Sequence, residues 1–203
     1  MVGIMSSIIL LLAVLSLLTA IYLNIESYHK LLIKGLSIQS FIIAILFFLY
    51  GYINSDGSFY ILALSTLFFR AIIVPQMLTT YVKSPFQRSK TNPSIFSITS
   101  LFIILLSYYL YSNVFSGFSL IGAIPLALVF LGFFILASRR STLGKIIGYV
   151  VEENGILVLT AFLVPTLPFI LEAGVTLDLF GVLIVLVIMK DIKMDINYPE
   201  LRG

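Results

Sequence analysis

Two carboxylates, Glu152 and Glu153, stand side by side in the apolar stretch "GYVVEENGILVL". Arg70 lies in "LFFRAIIVPQML" and Asp178 in "AGVTLDLFGVLIVLVIMKD", again among apolar neighbours. In hydrocarbon each such group costs roughly 2.5–3.5 kcal/mol to insert. Charges kept at that cost usually face a bundle interior or a wet cavity, and they mark ion pathways or proton relays. Burial and a nearby Arg act in opposite directions on a carboxylate's affinity for its proton. A Glu held between those effects can load and release a proton near neutral pH. Two adjacent Glu would titrate as a coupled pair. The structural alternative is that Arg70 pairs with a buried carboxylate only to hold helices together.

The elements that must position these groups are membrane helices. The 203 residues are 60% hydrophobic and 10% charged, against roughly 25% charged in a soluble domain. Such a chain cannot cover a soluble surface. The fold class expected is all-α, a single integral membrane domain over 1–203. Seven runs are long enough to cross, since a span needs about 20 residues. They cover 4–24, 32–53, 59–82, 95–111, 120–137, 143–164 and 174–189. The first has no Lys or Arg before it and reads as a retained helix rather than a cleaved signal.

Charge placement tests this count. The N-terminal end and the second, fourth and sixth connections carry no Lys or Arg. The first connection is edged by Lys30 and Lys34, and the third holds Lys83, Arg88 and Lys90. The fifth holds Arg139, Arg140 and Lys145, and the C-terminal end Lys190, Lys193 and Arg202. All of the 12 basic residues except Arg70 therefore fall on one side. By the positive-inside rule that side is the cytoplasm, with the N-terminus outside and the C-terminus inside. The plasma membrane is the expected location.

Depth follows from helix rise. Arg70 is about 20 Å from Lys83, Glu153 about 12 Å from Lys145, and Asp178 about 18 Å from Lys190. Three ionisable groups on three helices thus share a central band. Pro75, five residues after Arg70, removes a backbone bond and predicts a kink. Glu152 and Glu153 differ by about 100° around their helix and cannot point the same way. Gly144, Gly148 and Glu152 share one face, where small residues admit a neighbouring helix closely. One carboxylate could then face a helix of this chain and the other a partner subunit. Glu172 belongs at the outer mouth beside Pro165 and Pro168, either as a point of ion access or as an ordinary interfacial residue.

The sequence offers no phosphate loop, no nucleophile–base arrangement and no metal cluster. With no Cys, cysteine-ligated zinc and iron–sulfur clusters are excluded from this chain. The lone His29 reads as an interfacial or loop residue. The basic side is explained by topology, so nucleic acid need not be invoked.

The stretches "GYVVEENGILVL" and "EAGVTLDLFGVLIVLVIMKDI", with "STLFFRAIIVPQMLTTY" before them, resemble the hydrogenase 4 component E family. Those proteins are membrane subunits of group 4 hydrogenases and related complexes. Their C-terminal part is similar to the K-type subunit of respiratory complex I and the C-type subunit of Mrp antiporters. The resemblance divides the chain into N-terminal helices one to five over 1–137 and two K-type-like helices with a tail over 138–203. It implies that Glu153, preceding Asn154 and Gly155, matches the first carboxylate of a transmembrane charge axis. Asp178 falls about where the second belongs, with Asp in place of Glu. At Arg70 it implies only a basic residue, and Glu152 has no counterpart in the pattern.

The function expected is a non-catalytic subunit of a complex I-like assembly that translocates protons or sodium. Its ion-relay residues would be Glu153, Asp178 and Arg70, with Glu152 and Glu172 as further candidates. No cofactor is expected in this chain, and any nickel–iron site or iron–sulfur cluster would belong to partner subunits. The expected partners are antiporter-like membrane subunits, other subunits of the complex and membrane lipid. A free-standing secondary transporter and a purely structural scaffold are the alternatives.

Overall fold

The computed structural model describes residues 2–81, 93–114 and 120–163. Among these the regular structure is helical, as apolar runs in lipid require, because a helix satisfies its own backbone groups. Helix α1 covers Val2–Ile25 and α2 His29–Asn54. The third crossing is continuous but has three parts: α3 (Gly57–Ser65), a π-helical segment (Thr66–Ile73) and α4 (Val74–Tyr81). Helix α5 covers Pro93–Val114. A 3-10 turn, Leu120–Gly122, leads into α6 (Ala123–Ser138), and α7 is Thr142–Leu163.

Five of these crossings are long and apolar enough to span a membrane: Ser7–Ile25, His29–Asn54, Gly57–Thr80, Pro93–Val114 and Thr142–Leu163. The protein is a membrane protein. Helix α6 is apolar but shorter, at 16 residues. Six of the seven predicted runs thus correspond to helices. The seventh, 174–189, lies outside the described residues together with Asp178 and Glu172.

Side chains that bind their own backbone make the short turns. Glu26 Oε1 accepts from the amides of Ser27 and Tyr28 at 2.7 and 2.8 Å, turning the chain from α1 into α2. Ser55 takes the left-handed conformation (φ 53°) that closes α2. Asp56 Oδ1 then accepts from Ser58 N at 2.9 Å and caps α3. Ser141 Oγ accepts from Gly144 N at 3.0 Å and caps α7.

The helices alternate in direction. Arg139, after α6, reaches the carbonyls of Leu23 and Asn24 at the end of α1. Its guanidinium also lies over Phe96, near the start of α5. The first and fifth connections and the start of α5 therefore share one end of the bundle, as the charge pattern predicts. At the other end Tyr50 of α2 packs on Phe59 of α3 and Phe162 of α7.

Among the described residues the core falls into two apolar clusters. One, toward the Arg139 end, includes Leu23, Leu36, Val74, Leu131 and Val150. The other, toward the Tyr50 end, includes Ala13, Phe47, Leu62, Leu157 and Val158. On every helix that contributes to both, buried polar residues stand between the two sets. These are Ser16 on α1, Gln39 and Ser40 on α2, Thr66 and Arg70 on the π segment, and Glu152, Glu153 and Asn154 on α7. A polar layer thus crosses the middle of the bundle.

Helices α6 and α7 run closest together, and glycine makes this possible. A Cβ at Gly132 would overlap the backbone of Glu152, and one at Gly148 would overlap the backbone of Leu136. A Cβ at Gly155 would come within 2.6 Å of Val129 N. The small-residue face predicted for α7 is therefore an intramolecular seam.

Candidate functional site

The site is built by three helices meeting at the polar layer. Arg70 comes from the π segment and is 1% exposed. Its Nη1 donates to Asn154 Oδ1 at 2.8 Å, and its Nη2 lies 3.5 Å from Glu153 Oε2. Asn154 Nδ2 in turn donates to Ser40 Oγ on α2 at 3.3 Å. The set Ser40–Asn154–Arg70–Glu153 therefore links α2, α7 and the third crossing at one depth. Gln39, beside Ser40, donates through Nε2 to the Ser16 carbonyl at 3.3 Å and extends the layer to α1.

The backbone around Arg70 shows how the bond lost at Pro75 is absorbed. Proline 75 has no N–H for the carbonyl of Ala71, its partner in an α-helix. The helix widens into π geometry over Thr66–Ile73, and the amide of Val74 bonds to the Phe69 carbonyl. Ser37 Oγ of α2 donates to the Ala71 carbonyl at 2.6 Å. Arg70 lies within this π segment and is buried. Such insertions of π geometry recur at functional sites.

The structure separates the two neighbouring glutamates as the helix period requires. Glu153 faces Arg70. Glu152 is 8% exposed, and its backbone packs on Gly132 of α6. The expectation that one of the two faces a partner subunit is corrected: both are buried within this chain, because Gly132 lets α6 close over Glu152. Among the described residues Glu152 has no ion-pair or hydrogen-bond partner. His29 opens α2 at the boundary with the first connection and is buried there.

A second buried arginine was legible only as a topology marker. Arg139 is 3% exposed. Its Nη2 donates to the Leu23 carbonyl at 3.0 Å and to the Asn24 carbonyl, and its guanidinium carbon lies 5.4 Å from the Phe96 ring centroid. Asn24 Nδ2 donates to Ser100 Oγ at 2.7 Å, fastening α1 to α5. Burial lowers the Arg139 pKa, and Glu26 opposes that shift. Burial pushes the Glu26 carboxyl up, but the amides of Tyr28 and Ser27, the Tyr22 hydroxyl and Arg139 together hold it below its ordinary value.

Sequence reasoning placed Arg70 and Glu153 in one central band, and the structure brings them together. It missed Ser16, Gln39, Ser40 and Thr66, which carry no charge. Their signal was position, since each is a polar residue at mid-depth of an apolar run. Among the described residues no three His, Cys, Asp or Glu side chains come together as a metal cluster. The chain matches no protein-family model, no curated protein and no solved structure.

Proposed function

We propose that this chain is a non-catalytic membrane subunit of a complex I-like, ion-translocating assembly, such as a membrane-bound hydrogenase. Its part in the assembly is to supply buried ionisable groups to a charge relay that moves protons or sodium. One observation carries the reading: a polar layer containing the Arg70–Glu153 pair splits the apolar core at mid-depth. A fold that needed only stability would fill that layer with apolar side chains, since a buried ion pair rarely outperforms them. The resemblance around Glu153, Asn154 and Gly155 points the same way. On this reading Glu153 is the exchanging group and Arg70 its counter-charge. Asp178 would continue the relay, with Glu152 and Glu172 as further stations. The basic ends face the cytoplasm across the plasma membrane, and redox cofactors belong to other chains.

The structural-scaffold reading has an observation of its own. The bonds Arg70–Asn154 and Asn154–Ser40 tie three helices together, as interhelical glue does. Purification from native membranes in mild detergent tests the assembly. Further membrane subunits, antiporter-like among them, are expected to copurify. A lone chain that moves protons or sodium when reconstituted by itself would contradict the proposal.

A further inference from the structure

The spacing between Arg70 and Glu153 is unusual for two buried partners. A guanidinium and a carboxylate free to approach settle into hydrogen bonds at about 2.7–2.9 Å, commonly two in parallel. Here the charged atoms stop at 3.5 Å. The nearer acceptor is the amide of Asn154, at 2.8 Å from Nη1. That amide is anchored in turn, because its Nδ2 donates to Ser40 Oγ on another helix. All four residues are buried, so water does not compete freely for these groups.

We propose that Asn154, oriented by Ser40, is a positioning residue that holds Arg70 short of a hydrogen-bonded pair with Glu153. An amide suits this task. Its oxygen takes one guanidinium N–H while its nitrogen, locked to a hydroxyl, fixes which way the oxygen points. Arg70 then supplies a counter-charge without closing on the carboxylate. A fully closed pair would hold Glu153 ionised, and a carboxylate so held does not exchange its proton. Removing the amide leaves Nη1 without its acceptor, and the Glu153 carboxylate is the charged acceptor already beside it. The guanidinium is expected to slide onto it. This inference rests on the reading of Glu153 as an exchanging group, but its test does not require translocation to be measured.

The test is infrared difference spectroscopy on the purified assembly during a pH step. The carbonyl stretch of a protonated carboxyl reports Glu153 once it is assigned by its loss in Glu153→Gln. In Asn154→Ala the Glu153 band is expected to fall at least about fivefold at the pH where the parent shows it. Ser40→Ala, which keeps the Arg70–Asn154 bond but frees the amide, is expected to give a smaller loss. Ser40→Thr, which restores a hydroxyl, is expected to recover the parent band. Should Asn154→Ala fail to fold, the Ser40 pair gives the same reading alone. Unchanged bands in the folded Asn154 and Ser40 variants would overturn the inference, as would a parent with no band assignable to Glu153. Altered bands alongside normal translocation in Glu153→Gln would leave the positioning role intact and remove the relay assignment instead.

Discussion

Among the described residues two arginines are buried, Arg70 and Arg139, and their surroundings differ. Arg139 donates to backbone carbonyls at the end of α1 and rests on the Phe96 ring. Its hydrogen-bond acceptors cannot titrate, so it acts as a helix-end clasp, the use expected of a cation near a C-terminus. Arg70 lies at mid-depth beside a carboxylate and an amide. Its charged partner can gain and lose a proton. Burial alone therefore does not separate the two uses: each arginine has a carboxylate within electrostatic reach, Glu26 for Arg139 and Glu153 for Arg70, and they differ in depth and in whether their hydrogen bonds go to backbone or to side chains.

The largest expected effect tests that distinction directly. Arg70→Leu leaves Glu153 buried without its counter-charge, which costs about 3–5 kcal/mol. Denaturant unfolding in detergent would measure it. The double change Arg70→Leu with Glu153→Leu should recover most of that stability while ion translocation stays absent. A stable double variant that still translocated would make the mid-depth pair a clasp like Arg139.

Next comes the seam that sets the register of the polar layer. Gly132→Leu forces a side chain into the backbone of Glu152, and overpacking of this kind costs about 1–3 kcal/mol. Because the strain enters at the layer, translocation per assembled complex should fall along with stability. Arg139→Leu removes hydrogen bonds from the Leu23 and Asn24 carbonyls, a loss of about 1–3 kcal/mol. Here translocation per assembled complex should be unchanged, and a loss of it would break the comparison from the other side.

The smallest effect is a pH dependence at the clasp. Glu26 is held below its ordinary carboxyl pKa in the folded protein. Its contribution is therefore present above the unfolded value, about 4.3, and is lost as pH falls through the lower folded value. Thermal unfolding should show this acid-side loss reduced in Glu26→Gln. An unchanged acid limb would show that the Glu26 contacts do not bear on folding.

Much of the fold was legible because hydrocarbon permits few solutions. Apolar runs had to be helices, and the predicted 32–53 and 143–164 match α2 and α7 within a few residues. The alternation of basic connections was legible for the same reason. The face shared by Gly148 and Glu152 was readable as a packing face, but whether α6 or another chain lay against it depended on Gly132, which no local pattern on α7 reveals. The π segment was hidden because Pro75 states that a bond is lost, not how the helix absorbs the loss. The Ala71 carbonyl that Pro75 leaves without its helical partner is met by Ser37 from a different helix. Of the site, the charged pair was legible from cost and depth. Ser40, Gln39 and Ser16 were not, because they carry no charge, and an uncharged polar residue in an apolar run does not show which helix supplies its partner.

The central claim is that Glu153 exchanges ions rather than merely holding helices together. Glu153→Gln keeps the shape of the side chain and removes its ionisation. In membrane vesicles bearing the assembled complex, proton or sodium uptake driven by the complex's own redox substrate is the measurement that decides. The account predicts normal assembly with uptake lost or reduced at least about tenfold. Uptake equal to the parent, from an equal amount of assembled complex, would contradict it.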